Sequence, residues 1–284
     1  MSHRSQVIAD LRASINGIEK RAGFGEAGRA GTVATLPGGM PRVGAGTLSE
    51  LFTDTTRDAG AGFGFALMQA RGALSAERPV VLFLQMRAEA QETGLPYGPG
   101  LLRFGFDPQA LAVVRTGTIA ELLWAMEEAA GCCNVAAVIG DVGRGHTKLD
   151  FTASRRLSLR AESFSAMLML LRSGTNREAS AAVFRFHVAA LLSAETPFDA
   201  RAPGAMRCRV TLEKGARQGT RHGAGSGGQD ALGQDFWDLR WSENGLVADG
   251  ALPGVGQPRS GTGGAKALSG ADAAGLADRL SQTA

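Results

Sequence analysis

The sequence passes from an apolar strand to an apolar helix through the stretch Leu51-Phe-Thr-Asp-Thr-Thr-Arg-Asp-Ala-Gly-Ala-Gly-Phe-Gly64. Its first residues end a predicted strand, and Phe65, Leu67 and Met68 begin the apolar face of a predicted helix. Parallel strands need long crossover connections, which are usually helices. The stretch therefore predicts an α/β fold in which a glycine-rich loop joins the first strand to the first helix.

The same alternation of strand and helix continues to about residue 193. Further strand cores are predicted at residues 80–84, 112–114, 135–139, 166–171 and 183–191. Helices are predicted at residues 62–74, 119–130 and 152–163, where Thr118 opens the second helix and a Thr or Asp caps the third. Short apolar runs between helices are typical of a sheet that is covered on both faces. We predict a mostly parallel sheet with helices on both sides.

Four segments are predicted along the chain. Residues 1–30 form an amphipathic helix with apolar residues at three- and four-residue steps, residues 31–46 are a Gly/Pro-rich linker, residues 47–245 are the core, and residues 246–284 are a disordered tail. Within the core, residues 208–213 and 236–241 alternate like a β-hairpin. Leu276 and Leu280 lie four residues apart in the tail, where a short helix could form on a partner.

Composition excludes several classes of protein. The chain has 284 residues and 44% hydrophobic content, which is enough for one substantial core. A formal net charge of +3 does not by itself require a nucleic-acid partner. The three cysteines form neither a CxxC motif nor a disulfide framework. The apolar runs are short, so we expect a cytoplasmic protein without a signal peptide or a membrane span.

The loop between the first strand and the first helix is the place where a P-loop holds phosphates. That motif requires a lysine, and the sequence has none between Lys20 and Lys148. One interpretation lets Arg57 replace the lysine and keep weak nucleotide binding, since guanidinium groups pair with phosphate oxygens. The favoured interpretation is that Gly60, Gly62 and Gly64 only turn the chain. Asp54 and Asp58 in the same loop would repel a triphosphate.

An acid at the end of a strand could complete such a site. Asp141 ends the strand core at residues 135–139, where a magnesium-binding acid is expected, although capping of the following loop is the favoured role. Glu89 and Glu92 could activate a water molecule or could belong to an ordinary surface loop. We predict no catalytic residue, no metal site and no cofactor. The degenerate nucleotide site would consist of Asp54, Arg57, Gly60, Gly62 and Asp141.

Four motifs occur in an order typical of one protein family. They are Leu95-Pro-Tyr-Gly-Pro-Gly-Leu101, Gly105-Phe-Asp-Pro108, Ile119-Ala-Glu-Leu-Leu-Trp-Ala-Met-Glu-Glu128 and Leu149-Asp-Phe-Thr-Ala-Ser-Arg-Arg-Leu157. With these motifs the chain resembles the ImuA family of inducible mutagenesis proteins, which have a RecA-like fold. The resemblance extends from about Ser5 to Trp241 and does not cover the tail.

The resemblance implies a non-catalytic role in translesion DNA synthesis that DNA damage induces through the SOS response. The implied partner is an ImuB-like relative of the Y-family polymerases; RecA, an error-prone C-family polymerase and single-stranded DNA are further candidate partners, and self-association is open. The C-terminal part would bind the partner. Two alternatives remain: a division inhibitor like SulA, which shares the RecA-like fold, and a RecA-like ATPase with residual nucleotide binding.

Residues 142–185 contain eight basic and three acidic side chains. In RecA-like folds the loops in this region face DNA, and Arg and Lys give salt-sensitive affinity for phosphates. A solvated face with internal ion pairs is an equally weighted alternative for Arg155 and Arg156. The candidate contacts to DNA or a partner are Arg144, Lys148, Arg155, Arg156, Arg172 and Arg177.

We predict structural or packing roles for the aromatic residues and for His187. We expect Trp124 in the core with Leu123 and Met126, and we expect Phe151 and Phe164 to point inward. The strand at residues 236–241 carries Phe236, Trp237 and Trp241, which cannot all enter one core because neighbouring residues face opposite sides of a strand. At least one of them should meet a partner or the N-terminal helix. His187 should be a satisfied strand residue and not a catalytic base.

Overall fold

The computed structural model describes residues 35–36, 39–144, 148–196, 199–215, 227–242 and 245–249. The predicted N-terminal helix, the tail with Leu276 and Leu280, and most of the glycine-rich stretch at residues 215–233 lie outside these ranges. Two short strands, Thr35–Leu36 and Met40–Pro41, form an antiparallel pair before the main sheet. Within the described part of the chain, none of the helices has the length and apolarity needed to cross a bilayer.

Eight strands form the body of one sheet. They are β1 (Thr47–Thr53), β2 (Val80–Met86), β3 (Leu111–Thr116), β4 (Val135–Arg144), β5 (Met167–Ser173), β6 (Phe184–Leu191), β7 (Arg207–Lys214) and β8 (Asp235–Ser242). Their order in the sheet is β3-β2-β4-β5-β1-β6-β7-β8. Strands β1 to β6 run parallel, and β7 is antiparallel to both of its neighbours. The predicted α/β fold with a mostly parallel sheet is confirmed.

Helices lie on both faces of the sheet. They are α1 (Ala59–Arg71), α2 (Arg87–Thr93), α3 (Gly98–Arg103), α4 (Ile119–Ala130) and α5 (Phe151–Phe164). One buried cluster joins α1 to the sheet, and a second cluster joins α4 and α5 to the opposite face. Side chains of each strand alternate between the two clusters, as Met169 and Leu170 of β5 show. The prediction of helices on both faces is therefore confirmed.

The helix boundaries follow from their caps. Thr118 accepts a hydrogen bond from Glu121 N at 3.2 Å, and Asp150 accepts one from Ala153 N at 2.7 Å. These N-cap bonds satisfy backbone donors that a helix leaves unpaired, so α4 and α5 begin where the sequence predicts. The short helices α2 and α3 were not predicted. Both are shorter than eight residues, and such segments show little periodicity.

The predicted linker at residues 31–46 is wrong for its C-terminal half. Met40 and Val43 are fully buried in the cluster around α1. Gln69 of α1 fixes this segment, since its amide accepts a hydrogen bond from Val43 N at 3.0 Å and donates to Pro41 O. The glycines and prolines suggested a flexible connection, but these two apolar side chains and the Gln69 amide hold the backbone against α1.

The C-terminal strands extend the main sheet. Strand β7 pairs with β6 on one side and with β8 on the other, so the predicted antiparallel pair is confirmed as part of the sheet. Trp237 and Trp241 lie on one face and are buried, whereas Phe236 lies on the other face with the Arg209 guanidinium 4.3 Å above its ring. The three aromatics thus divide between the two faces, and both tryptophans are buried within the chain itself.

Three aromatic predictions are wrong. Trp124 is 64% exposed, and Phe151 and Phe164 are also exposed. The buried face of α4 consists of Ile119, Leu122, Leu123, Met126 and Ala130. Trp124 follows Leu123 by one residue and is therefore turned about 100° around the helix, away from the centre of that face. The surface of α4 and α5 consequently carries large apolar side chains.

A buried carboxylate lies in the middle of the central strand. Glu50 of β1 has no exposed surface, and its oxygens accept hydrogen bonds from Arg172 at 2.9 Å, Arg185 at 2.7 Å and Ser180 at 2.6 Å. The ring of Phe52 lies beside the same arginines, with the Arg172 guanidinium 4.9 Å from its centroid. Every charge in this cluster has a partner, as burial requires.

Removing one member of the buried cluster around Glu50 should destabilise the folded protein. We predict that Arg172→Met lowers the free energy of unfolding by about 3–5 kcal/mol, because it removes one of the two cations that compensate the Glu50 carboxylate inside the protein. Urea denaturation of the purified variant measures this change. The matched control is Arg156→Met, which breaks an exposed ion pair with Glu127 and should cost less than about 1 kcal/mol. Equal losses for both variants would contradict a stabilising role specific to the buried cluster.

Candidate functional site

The candidate site lies at the C-terminal edge of the parallel strands. Strand β1 is in the middle of the sheet, between β5 and β6, and its chain continues through residues 54–58 into α1. Ligands of open α/β sheets bind at this edge, beyond the carboxyl ends of the strands. The five connecting residues include a 3-10 turn, Thr56–Asp58. This is the position where the sequence predicts a degenerate nucleotide site.

The residues at this position differ from those of a P-loop at every decisive point. The motif GxxxxGK[ST], counted from Thr53 at the end of β1, places Thr53 and Asp58 where it requires glycines. Ala59, the first residue of α1, occupies the lysine position, and Gly60 occupies the position of the hydroxyl-bearing residue. The lysine is missing, and so are the small residues that let a backbone loop surround a phosphate.

Close packing joins the end of β1 to the first turn of α1. Thr53 is buried, and a Cβ atom added at Gly62 would lie 2.8 Å from its Cγ2 atom. Gly62 therefore permits the end of β1 to contact the first turn of α1 directly. Gly60 is exposed and has open space beside it. Of the two predicted glycines, Gly62 has a packing role and Gly60 makes no such contact.

The two aspartates of the loop have partners within the chain. Asp54 pairs with Arg177 at 3.1 Å, and His187 Nε2 lies 3.2 Å from its other oxygen. Asp58 accepts hydrogen bonds from Thr55 Oγ1 at 2.7 Å and from Ala190 N at 2.8 Å. The expectation that both acids act as free repulsive charges needs correction, because Arg177 compensates Asp54. Their contacts instead hold the loop against β6.

Arg57 is exposed on the 3-10 turn and belongs to no described network of hydrogen bonds. The interpretation that it replaces the lysine is not supported by any contact with the neighbouring loop residues. His187 lies on β6, with its Nε2 3.2 Å from an Asp54 oxygen. This contact lacks the geometry of a hydrogen bond, and Nε2 is buried without a hydrogen-bond partner, so the expectation of a fully satisfied strand residue needs correction.

A cavity of about 190 Å³ lies between the strand ends and the segment that joins α2 to α3. Its walls are mainly apolar, with Phe63 and Phe83 in contact at 4.7 Å between ring centres. Its polar lining includes Thr53, Gln85, Thr93, Asp141 and Ser173. Hydroxyl, amide and carboxyl groups dominate the polar part, and Arg172 at its edge is already bonded to Glu50 and Glu178. This composition does not suit a triphosphate.

Asp141 and Gln85 form the polar centre of this cavity. Gln85 Nε2 lies within hydrogen-bond distance of Thr93 Oγ1, Gly94 O and Asp141 Oδ2, at 3.1–3.2 Å. Asp141 also accepts a hydrogen bond from Gly143 N at 3.3 Å, which agrees with its predicted role in the following turn. Burial raises the pKa of Asp141, and the bonds from Gln85 and Gly143 oppose this rise. Gln85 Oε1 is buried without a hydrogen-bond partner.

Glu89 lies on α2 and not in a surface loop. Gly143 has a positive φ of 63°, and a Cβ atom there would clash with the Glu89 carboxylate. Burial raises the pKa of Glu89, and the nearby charges of Asp141 and Glu92 raise it further, while Arg144 lowers it. Glu89 and Asp141 are therefore a pair of acids whose charged forms are disfavoured. No group of three His, Cys, Asp or Glu side chains in the described ranges is arranged to hold a metal ion.

The structure divides the six predicted basic contacts into three groups. Arg172 is buried and pairs with Glu50, so the prediction that it contacts DNA or a partner is wrong. Arg177 pairs with Glu213 at 2.9 Å and is partly exposed. On α5, Arg156 is exposed and paired with Glu127, and Arg155 is half-buried. Only two of the six, Arg144 and Lys148, are exposed and form none of the described ion pairs. Arg144 is the last residue of β4, and Lys148 lies four residues further along the chain.

The sequence did not reveal Thr53 and Gln85 as residues of the site. Each is the polar residue near the end of an apolar strand, a pattern that is common at strand ends and carries little information alone. The signal that could have found them is their position relative to the missing motif. Thr53 stands where the motif begins. Gln85 is the last residue but one of β2, which pairs with β4, the strand that carries Asp141.

The raised pKa of Glu89 predicts a pH dependence of stability. Below the ordinary carboxyl pKa of about 4.3, the group is protonated in both the folded and the unfolded chain and has no effect. As the pH rises from there through the higher folded-state pKa, the unfolded chain releases its proton more readily, and the folded state loses stability. Glu89→Gln should abolish this loss, so its melting temperature should exceed that of the wild type increasingly from about pH 4 to pH 7.

Thermal unfolding between pH 4 and pH 8 measures this difference. Glu162→Gln, which removes an exposed carboxylate on α5, is the matched control and should give a nearly constant difference from the wild type. A difference for Glu89→Gln that does not change with pH would contradict the assignment.

The chain shows a distant similarity to a known protein structure. No family model matches the chain, and no curated protein matches it. Among solved structures, the chain is similar to the crystal structure of the RadB recombinase, with 12% identity over 72% of this chain and 92% of that one and a TM-score of 0.46. The chain itself has an α/β fold in which β1 is central in a mostly parallel sheet and is followed directly by its loop and α1.

Proposed function

We propose that the chain is a non-catalytic accessory protein of error-prone translesion DNA synthesis induced by DNA damage. The observation that carries the proposal is Ala59 at the start of α1, in the position of the P-loop lysine, with Thr53 and Asp58 in the positions of its glycines. The resemblance to the ImuA family in four ordered motifs supports the same role. Under this proposal the RecA-like fold serves as a scaffold for protein contacts.

The electrostatics at the start of α1 support a non-catalytic role. Without the lysine, no ammonium group reaches the outer phosphates of a triphosphate. The helix N-terminus has a partial positive charge, which a bound phosphate would normally complement. Here the Asp58 carboxylate lies beside the start of α1 without making a capping hydrogen bond to it. Its negative charge would repel a phosphate at this helix N-terminus.

The partner contacts we favour are the tail and, separately, the exposed face of α4 and α5. Trp124 is 64% exposed and Leu159 is 44% exposed on these helices, and tryptophan is enriched among the residues that dominate binding energy. Leu276 and Leu280 belong to the tail that the resemblance connects with partner binding. The implied partner is the ImuB-like relative of the Y-family polymerases, with RecA and the C-family polymerase as further members of the complex.

Direct DNA binding has less support than partner binding. Arg172 and Arg177 are taken up by internal ion pairs, and each phosphate contact that is lost weakens salt-dependent affinity. Arg144 and Lys148 remain exposed beyond β4, where they could contact a single strand held by the whole complex. We therefore propose at most a weak contribution of this chain to DNA affinity.

Nucleotide assays test the non-catalytic role. We predict that the full chain shows no saturable binding of labelled ATP with magnesium up to about 1 mM, equivalent to less than about 4 kcal/mol of binding free energy. It should release no phosphate above the rate of a buffer control. The combined variant Thr53→Gly, Asp58→Gly, Ala59→Lys and Gly60→Thr restores the motif and provides a comparison on the same scaffold. Magnesium-dependent phosphate release by the unaltered chain would overturn the proposal.

Co-purification tests the partner. The ImuB-like protein should be retained by the full chain, and deletion of residues 250–284 or Trp124→Ala should weaken this binding by at least tenfold, as the loss of a dominant interface residue does. Arg57→Ala, which changes an exposed residue of the loop after β1, is the control. If the full chain does not retain this partner, and its overproduction makes cells filament instead, the proposal fails and the division-inhibitor alternative is favoured.

A further inference from the structure

The cavity at the strand ends is built from matching positions of four neighbouring strands. In the order β1, β5, β4 and β2, each strand places an apolar residue of the cluster around α1 two positions before a polar residue of the cavity wall. The apolar residues are Leu51, Leu171, Ile139 and Phe83, and the polar residues are Thr53, Ser173, Asp141 and Gln85. Residues two apart on a strand share one face. The polar side chains therefore form a row on the α1 face, next to an apolar surface.

Two hydroxyl groups stand side by side in this row. Thr53 is directly opposite Ser173 in the pairing of β1 with β5. Thr53 is only 5% exposed, and the hydrogen bonds of the described residues include none from either hydroxyl group. A hydroxyl group can both donate and accept a hydrogen bond. These two groups are therefore open to a ligand in the cavity.

Asp141 gives the other half of the row a negative charge. It is partly exposed and is opposite Gln85 in the pairing of β2 with β4. Its oxygens accept one hydrogen bond each, from Gln85 Nε2 at 3.2 Å and from Gly143 N at 3.3 Å. Since a carboxylate has about four acceptor positions, Asp141 can accept further hydrogen bonds.

The charges around the cavity favour a cation. The charge of Asp141 disfavours a second negative charge on Glu89, and Arg144 offsets this effect in part. Among the described wall residues, the cation is Arg172, whose guanidinium is bonded to Glu50 and Glu178 and so does not compensate Asp141. A positively charged ligand would relieve the repulsion between the two acids.

The cavity has room for one six-membered ring. Its volume is about 190 Å³, whereas an engineered apolar cavity of about 150 Å³ already holds a benzene molecule. Cβ atoms added at the wall residues Gly60 and Gly94 would meet no atom within 4 Å, so the wall is open beside both glycines. The aromatic rings of Phe63 and Phe83 supply an apolar surface for such a ring.

We propose that this cavity binds a small primary amine with a single-ring apolar body. The ammonium group donates hydrogen bonds to the Asp141 carboxylate and to the hydroxyl groups of Thr53 and Ser173. Its three N–H donors match these three acceptors in number. The ring lies against Phe63 and Phe83. This inference goes beyond the proposed scaffold role and does not depend on the identity of the protein partner.

A purely structural explanation exists for the polar row. Strand ends lie close to the surface, and water molecules alone could fill the cavity and bond to its polar groups. That explanation predicts no preference for a positively charged ligand over an uncharged one of the same shape. Comparing an amine with the matching alcohol therefore distinguishes the two explanations.

The experiment records the ¹⁹F resonance of 4-fluorobenzylamine during titration with the full chain. We expect saturable binding of the amine. The alcohol 4-fluorobenzyl alcohol, which has a hydroxyl group in place of the ammonium group, should bind about tenfold more weakly, because a charged donor forms the stronger hydrogen bond to a carboxylate. Absence of saturable amine binding, or equal binding of amine and alcohol, would overturn the proposal.

Matched variants locate the bound amine. Asp141→Asn should weaken amine binding by about tenfold, because it removes the charge that pairs with the ammonium group. Glu162→Gln removes one negative charge from an exposed position on α5 and should leave binding unchanged. Equal effects of these two variants would contradict the role of Asp141.

A second pair of variants tests the hydroxyl groups and does not alter a charge. Thr53→Val keeps a methyl group against Gly62 and removes one acceptor, so it should weaken amine binding by about threefold. Thr152→Val, at an exposed position on α5, is the control and should have no effect. If Asp141→Asn does not fold, this comparison decides, and equal binding by the two valine variants would refute the proposed site.

Discussion

The structure depends on a carboxylate buried in its central strand. Glu50 lies in β1, flanked by β5 and β6, and each neighbouring strand supplies one arginine to it. A buried carboxylate without compensation would be prohibitively unfavourable, so the two guanidinium groups must remain where they are. Phe52, two residues further along β1, packs against the same arginines. The register of the three central strands is therefore coupled to a charge balance as well as to apolar packing.

This constraint determines which basic residues can reach a partner. The segment after β5 turns back so that Arg177 pairs with Glu213 of β7 and with Asp54 of the loop after β1. Basic residues that are close in the sequence thus form ion pairs with different strands and loops. A local excess of positive charge in the sequence does not produce a basic surface here, because the acids that compensate it come from distant parts of the chain. Of the six basic residues that the sequence singles out, Arg144 and Lys148 are exposed and form none of the described ion pairs.

The sequence was informative where a local pattern decides the structure. Thr118 and Asp150 act as caps, and the apolar runs of β2, β4 and β5 appear where they were predicted, because caps and unbroken apolar runs act over a few residues. The sequence-based prediction failed where burial depends on which strands are neighbours in the sheet. Arg172 shares a strand face with Leu168 and Leu170, and its burial could be inferred only if β1, with Glu50, were known to lie beside β5. Single-sequence periodicity contains no information on that neighbour.

In the candidate site, too, local features could be predicted from the sequence and features that depend on strand order could not. The absence of a lysine between Lys20 and Lys148 is a property of the sequence alone. The loop from β1 to α1, at residues 54–58, lies within the stretch where the strand and helix patterns predict it. The contact of Thr53 with Gly62 and the pairing of Gln85 with Asp141 depend on how β1, β2 and β4 are arranged, so they could not be predicted. The prediction for Trp124 was wrong for a different reason. The hydrophobicity of this side chain favoured burial, whereas its angular position on α4 did not.

The loop between β1 and α1 is shaped by one carboxylate, that of Asp58. A helix N-terminus that binds phosphate must leave its N–H groups and partial positive charge open to the ligand. In this chain Asp58 occupies the N-cap of α1, and its carboxylate is held by Thr55 and by the backbone of β6 at Ala190. A fixed negative charge therefore lies beside the start of α1, although it caps none of the helix N–H groups. Thr53 also packs against Gly62, so the end of β1 contacts the first turn of α1 directly. Contacts within the chain thus hold this loop in place, which suits the proposed scaffold role.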